Sequence, residues 1–134
     1  MADKVAFELV SPERLLVSEP VDMVVVPGAE GDFGVLIGHT PMISGVRMGT
    51  IDVYQDGARA QRIFVAGGFA EVTPERCTVL AEGAVPVDEI DRARVEEELR
   101  AAEKLAAEAV DDAERAAAEA GKRVAEAKLA VAGG

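Results

Sequence analysis

Residues able to do chemistry are few in this chain and rarely arranged in pairs. His39 is the single histidine, so a two-histidine metal site or a histidine pair is excluded. Ser11 or Ser44 with His39 and an aspartate would supply the groups of a nucleophilic triad, yet no Gly-x-Ser-x-Gly elbow is present to expose the serine. Cys77 is the only cysteine, which rules out an internal disulfide and a thiolate metal site built from this chain alone. Its setting, Arg76-Cys77-Thr78-Val79-Leu80, alternates like a strand and predicts a small side chain turned inward rather than a reactive thiol. Glu30 and Asp32 stand two residues apart, but the loop offers no further spaced oxygen ligands for a divalent ion. The glycine stretches at 28–31, 45–49 and 67–68 do not continue into Gly-Lys-Ser/Thr and lack the strand-turn-helix context of a dinucleotide site. They read as turns. No catalytic residue, metal or tightly bound cofactor is expected.

The elements that would hold these residues follow two grammars. From Val5 to about Ala84, short strands alternate with turn residues. Val5, Phe7 and Leu9 interleave with Ala6 and Glu8, a pattern with one buried face. Leu15–Ser18 and Val21–Val26 follow, the latter closed by Pro27-Gly28. Ile51–Tyr54 and Gln61–Val65 flank Gln55-Asp56-Gly57, where Asp-Gly supplies the positive φ angles of a tight hairpin. Gly67-Gly68, Phe69–Thr73, a Pro74-Glu75 turn and Thr78–Ala81 give another. Many short strands with regular turns predict an antiparallel sandwich.

At Val85-Pro86-Val87 the grammar changes to a helical period. Asp88 is the expected N-cap, with Asp91 three residues on where the helix amides are unpaired. Val95, Leu99, Ala102, Ala106 and Ala109 form one stripe. Asp111 with Glu114 resembles a capping box and starts a second helix. Its stripe is expected at Ala113, Ala117, Ala120, Val124, Ala127 and Val131. Two such stripes and a short connection predict an antiparallel hairpin. Glu96–Arg100, Asp111–Arg115 and Glu119–Arg123 are the i,i+4 pairs expected on its surface, and Gly121 is expected to loosen the second helix. The fold class is therefore α+β: a sandwich over residues 1–86 and a hairpin over 87–134.

A net charge of −11 opposes contact with nucleic acid or an anionic lipid surface, so partners should be proteins. No stretch of about 18 apolar residues spans a bilayer, and Met1-Ala2-Asp3-Lys4 lacks the layout of a signal peptide. A soluble, intracellular chain is expected.

The run from Pro27 to Pro41, Pro-Gly-Ala-Glu-Gly-Asp-Phe-Gly-Val-Leu-Ile-Gly-His-Thr-Pro, resembles the hallmark of ε subunits of F-type ATP synthases. Val65-Ala66-Gly67-Gly68-Phe69-Ala70-Glu71-Val72 is similar to the family's second landmark, and Thr78–Glu82 to its last strand. The resemblance reaches from Phe7-Glu8-Leu9-Val10-Ser11-Pro12 to the helical tail. It implies a ten-stranded antiparallel sandwich followed by two antiparallel helices, and a non-catalytic place in the rotor, with the γ subunit on the ring of c subunits. Rotation driven by protons would pass through γ to the catalytic α and β subunits, which the tail meets transiently. Membrane association would be indirect, through the Fo sector, at the cytoplasmic face of a bacterial inner membrane.

Carried over by position, Glu30, Gly31, Asp32 and Phe33, with His39, match the part facing the polar loops of the c ring. The resemblance also implies a tail that restrains ATP hydrolysis and, in some members, binds ATP as a regulatory ligand. The matching positions are Ile90, Asp91 and Arg94, with Glu82 before them. Val95 stands where that pattern has Ala, and Lys122 and Glu126 stand where ATP-binding members carry two arginines one turn apart.

Overall fold

The structure is a computed structural model and describes residues 3–132; the reading of Met1 and Ala2 as lacking an export signal lies outside them. The chain forms two compact units, residues 1–86 and 87–134.

Ten strands build the first unit: β1 Val5–Val10, β2 Leu15–Val21, β3 Met23–Gly28, β4 Gly31–Val35, β5 Met42–Val46, β6 Gly49–Gln55, β7 Ala58–Val65, β8 Gly68–Val72, β9 Arg76–Ala81 and β10 Ala84–Pro86. Their order is β10-β7-β6-β3-β5-β8-β9-β1-β2, with β4 on β3. Strand β3 gives its first half to β6 and, at Gly28, touches β5 through Val46, which joins the two layers. Alternation sets the core: Val5, Phe7, Leu9, Ile51, Val53, Val72, Cys77 and Val79 turn inward together. Burying such side chains, at roughly 1.5–3 kcal/mol each, is the main favourable term for a unit this size.

The sheet is antiparallel except at β1 and β9, which run parallel, Phe7 opposite Cys77 and Leu9 opposite Val79. Asp56 (φ 53°) and Gly57 (φ 81°) make the two-residue turn that the Asp-Gly step foretold. Pro27-Gly28 does not close its strand. The ladder continues through Gly28 opposite Gly31, and Ala29-Glu30 make the turn. Gly28 is fixed by close approach, since a Cβ there would lie 2.6 Å from the Gly31 carbonyl oxygen and 2.9 Å from the Phe33 ring.

Inside this unit Cys77 is fully buried, and burial pushes its thiol from 9.0 up to about 12. The folded state thus favours the neutral thiol. That contribution is complete below pH 9 and falls away as pH rises from there toward 12, because only the unfolded chain ionises in this window. Disulfide reagents at neutral pH are expected to leave the native thiol unmodified while labelling it fully in denaturant, a contrast read directly by mass spectrometry.

The second unit has a 3-10 turn, Val87–Glu89, then α1 Arg92–Glu108 and α2 Asp112–Ala132. Asp88 lies within the 3-10 turn and does not cap α1. That role falls to Asp91, whose carboxylate accepts from the Arg94 amide at 3.2 Å. At the start of α2, Asp111 accepts from the Glu114 amide at 2.8 Å, and Glu114 reaches back to the Val110 amide at 3.1 Å. The capping box forms one residue wider than its usual span.

Helix α1 buries Val95 and Ala102 as its stripe predicts. On α2 the stripe is rotated: Ala118 and Ala125 are buried, whereas Ala113, Ala117 and Ala120 are exposed. Gly121 lies on this inner face, across from the Ala102 methyl. A Cβ at Gly121 would meet that methyl at 3.9 Å, an ordinary contact. Gly121→Ala is therefore expected to stabilise the hairpin by about 0.5–1 kcal/mol, read as a rise in its thermal midpoint by circular dichroism. The three expected surface pairs do not form. Arg92–Glu96, Arg94–Glu98 and Lys128–Glu98 form instead, at 3.8–3.9 Å, and Arg115 turns to Asp112 at 3.3 Å.

Candidate functional site

The β3–β4 turn carries the acidic residues singled out in the sequence. Its position is set from both sides: the Ala29 amide donates to the Gly45 carbonyl at 2.8 Å, and the Arg47 amide to Pro27 at 2.9 Å. Gly31, at φ 139°, adopts a backbone conformation open to glycine and strained for other residues. Phe33 is half-buried against the core and serves as the root of the tip rather than as an exposed contact. Glu30 projects into solvent without an ion pair among the described residues, whereas the Asp32 carboxylate is held by Arg47. Spacing alone makes Glu30 and Asp32 look equivalent. Nothing local in the sequence marks Arg47, whose two side-chain contacts lie 15 and 19 residues away.

His39 does not join this tip. Strand β4 separates them, and its five residues at about 3.3 Å each put them roughly 16 Å apart along the strand. His39 belongs to the β4–β5 connection, where its Nδ1 lies 2.6 Å from the Thr40 carbonyl and its amide donates to Leu36 at 3.2 Å. The neighbouring Gly38 amide donates to Pro74 at 2.6 Å, tying the connection to the β8–β9 turn. The imidazole is thus engaged with its own turn at the opposite end of the sandwich from Glu30. No serine is shown within hydrogen-bond reach of His39, so the formal triad does not assemble among the described residues.

Of the four positions matched to a nucleotide site, Glu82 is exposed in the sandwich, at the β9–β10 turn, where its amide donates to Gly67 at 2.9 Å. Ile90, Asp91 and Arg94 open the helical unit. Asp91 spends its carboxylate on the helix cap, and the Arg94 guanidinium lies 3.9 Å from Glu98.

A second surface stands out on the outer side of β5, β8 and β9, where Ile43, Phe69 and Leu80 are 75%, 63% and 56% exposed. Phe69 lies opposite Leu80 in the ladder and opposite Gly45 on its other side. With Val10 and Pro12, Phe69 and Leu80 line a shallow apolar groove, and Ile43 lies outside it. Among the described residues no group of three or more His, Cys, Asp or Glu side chains is placed to hold a metal ion, and no helix is long and apolar enough to cross a membrane.

A sandwich with an acidic tip, an apolar outer face and a separate helical hairpin defines a protein-binding module rather than a reaction centre. Residues 4–87 match the family described as ATP synthase, Delta/Epsilon chain, beta-sandwich domain. The chain is 54% identical over 130 residues to the ATP synthase epsilon chain of Rhodospirillum rubrum, covering 97% of both. To that of Paramagnetospirillum magneticum it is 59% identical over 113 residues, 84% of this chain and 82% of the relative. Among solved structures, a chain of the Euglena gracilis mitochondrial ATP synthase, imaged as OSCP, F1 and c-ring, superposes with a TM-score of 0.78 at 26% identity, over 97% of this chain and 82% of that one. A chain from the Tetrahymena thermophila central stalk and c-ring shares the fold alone, at 12% identity and a TM-score of 0.59, over 98% of each. The chain belongs to the ATP synthase delta/epsilon family, and its relatives across nearly the whole length are epsilon chains. It is an accessory subunit without a catalytic site of its own.

Proposed function

We propose that this chain is a rotor subunit that stands with γ on the c ring and passes proton-driven rotation, through γ, to ATP synthesis in α and β. The observation that carries the reading is a turn held at fixed geometry by Arg47 and Gly45, with Glu30 presented outward. A carboxylate on a rigid support suits a basic surface whose register must not slip under torque. The apolar face around Ile43, Phe69 and Leu80 supplies a second area, of the kind a stalk partner covers. Membrane association is then peripheral and indirect, at the cytoplasmic face of a bacterial inner membrane.

The hairpin is proposed to restrain ATP hydrolysis. Its buried side chains among the described residues are Val95, Ala102, Ala118 and Ala125, three of them alanines. So little apolar burial leaves the two helices separable at small cost. No ATP requirement is part of this reading, because Asp91 and Arg94 are already engaged. Titrating the full chain with millimolar ATP is expected to leave the amide chemical shifts of residues 82–94 unchanged; saturable shifts there would establish the nucleotide site instead.

The deciding experiment is a pull-down from native membrane extract with an N-terminally tagged chain, native or carrying Glu30→Lys. Native bait is expected to recover γ, α, β and the c ring, and Glu30→Lys to lose the c ring alone. Failure of the native bait to recover γ would end the rotor reading.

A further inference from the structure

Arg47 begins the β5–β6 connection directly after Val46 and reaches back across the β3–β4 hairpin. One guanidinium nitrogen donates to the Gly28 carbonyl and another to Asp32 Oδ1, while its own amide donates to Pro27 at 2.9 Å. Gly28 is the last residue of β3 and Asp32 the second of β4, so both arms of the hairpin are held from one side chain. A planar guanidinium with two fixed donors sets direction as well as distance, which a lysine's single ammonium does not. The charge effect is equally direct. Of the two carboxylates at the tip, Asp32 is matched by a cation of the same chain, and Glu30 is left without one among the described residues.

We infer that Arg47 is the positioning residue of the tip: it clamps both arms of the β3–β4 hairpin, cancels Asp32 and leaves Glu30 as the one tip carboxylate that a basic partner surface reads. The inference rests on the reading of this tip as the face toward the ring. It separates two residues that the spacing Glu-Gly-Asp makes look interchangeable. Asp32 acts through Arg47 on the shape of the turn, and Glu30 acts on the partner.

The test uses the full chain rebinding to membranes that carry the synthase stripped of this subunit, titrated across ionic strength, with amide hydrogen exchange of the free chain in parallel. Glu30→Gln is expected to weaken rebinding about tenfold at low salt and to flatten its salt dependence. Asp32→Asn with Arg47→Gln in the same chain removes one charge of each sign and should keep the native salt dependence. Asp32→Asn alone leaves the Arg47 cation uncovered and should flatten that dependence. Arg47→Gln uncovers Asp32 and so should steepen the salt dependence, an effect that Asp32→Asn in the same chain removes. In the free chain, Arg47→Gln should speed exchange at Ala29, whose amide donates to Gly45, and at Gly31 about tenfold, and Arg47→Lys should not restore protection.

A salt dependence flattened in the Asp32→Asn, Arg47→Gln pair as it is in Glu30→Gln would overturn the assignment, as would tip exchange in Arg47→Gln equal to that of the native chain. Rebinding unchanged by every tip variant, Glu30→Gln included, would overturn the partner-reading half and with it the docking of this tip. Exchange in the free chain still decides the clamp in that case: acceleration upholds it and its absence refutes it.

Discussion

Gly68→Ala is expected to unfold the sandwich or bring it to the edge of unfolding. Gly68 sits at φ 145°, and a Cβ there would fall 2.1 Å from the Leu80 carbonyl oxygen and 3.0 Å from the Ala81 Cα. Both atoms are backbone of the neighbouring strand, so no side chain can swing aside to make room. The strand itself is central: β8 pairs with β5 on one side and β9 on the other, and Gly68 lies opposite both Val46 and Ala81. Strain at such a φ costs about 1–3 kcal/mol, and displacing the ladder adds to it, for a loss of roughly 3 kcal/mol or more. Against a typical stability of about 5–15 kcal/mol, that is a large share. Urea denaturation followed by circular dichroism measures it, and a midpoint within error of the native chain would contradict the account. Gly67, its neighbour, also has a positive φ, 134°, but a Cβ there meets nothing closer than 3.5 Å. Gly67→Ala should accordingly cost visibly less, which separates backbone strain from steric collision.

Phe7→Ala should be comparably damaging by a different route. Phe7 is among the largest fully buried side chains and belongs to the core cluster with Leu9, Cys77 and Val79. It is held by pairing on both edges, antiparallel to β2 at Glu19 and parallel to β9 at Cys77. A backbone fixed on two sides cannot collapse into the space left by a lost ring. Truncation then costs the transfer of the ring and the cavity that remains, about 3–5 kcal/mol together. The denaturation midpoint reports the loss, and Phe7→Leu, which keeps most of the volume, is expected to recover much of it. Equal losses for the two variants would show that aromatic shape, rather than volume, is what the site requires.

Both substitutions act in the first unit, and the sequence made that unit legible for a physical reason. A half-buried strand has period two, and one face of each strand had to be apolar. Val5, Phe7 and Leu9 showed this without help. The Asp56-Gly57 turn was equally local, because only a few residue types accept two successive positive φ angles. The Asp111 and Glu114 cap was readable for the same reason, since its hydrogen bonds close within four residues. The run from Pro27 to Pro41 carried the resemblance, and the family match over residues 4–87 bears it out.

Properties settled by contacts between distant residues were out of reach. The parallel pairing of β1 with β9 joins residues about seventy positions apart, and alternation is the same for either strand direction. The face of α2 was misplaced because alanine is spread all around that helix. Its hydrophobic pattern is degenerate, and only packing against α1 decides that Ala118 and Ala125 are the buried ones. Gly121 faces Ala102 across the pair with room for a methyl group, so nothing in the packing requires glycine there.

The acidic tip shows the same division most clearly. Sequence alone determined that Glu30 and Asp32 occupy a glycine-bounded turn and that His39 has no second histidine to pair with. Tertiary structure decided that His39 lies at the far end of β4, because a short extended strand cannot bring its two ends together. It also decided that Asp32 is matched by Arg47 while Glu30 is not. The spacing of charges along a chain fixes which groups exist. Which of them remain uncompensated depends on what the fold sets beside each one.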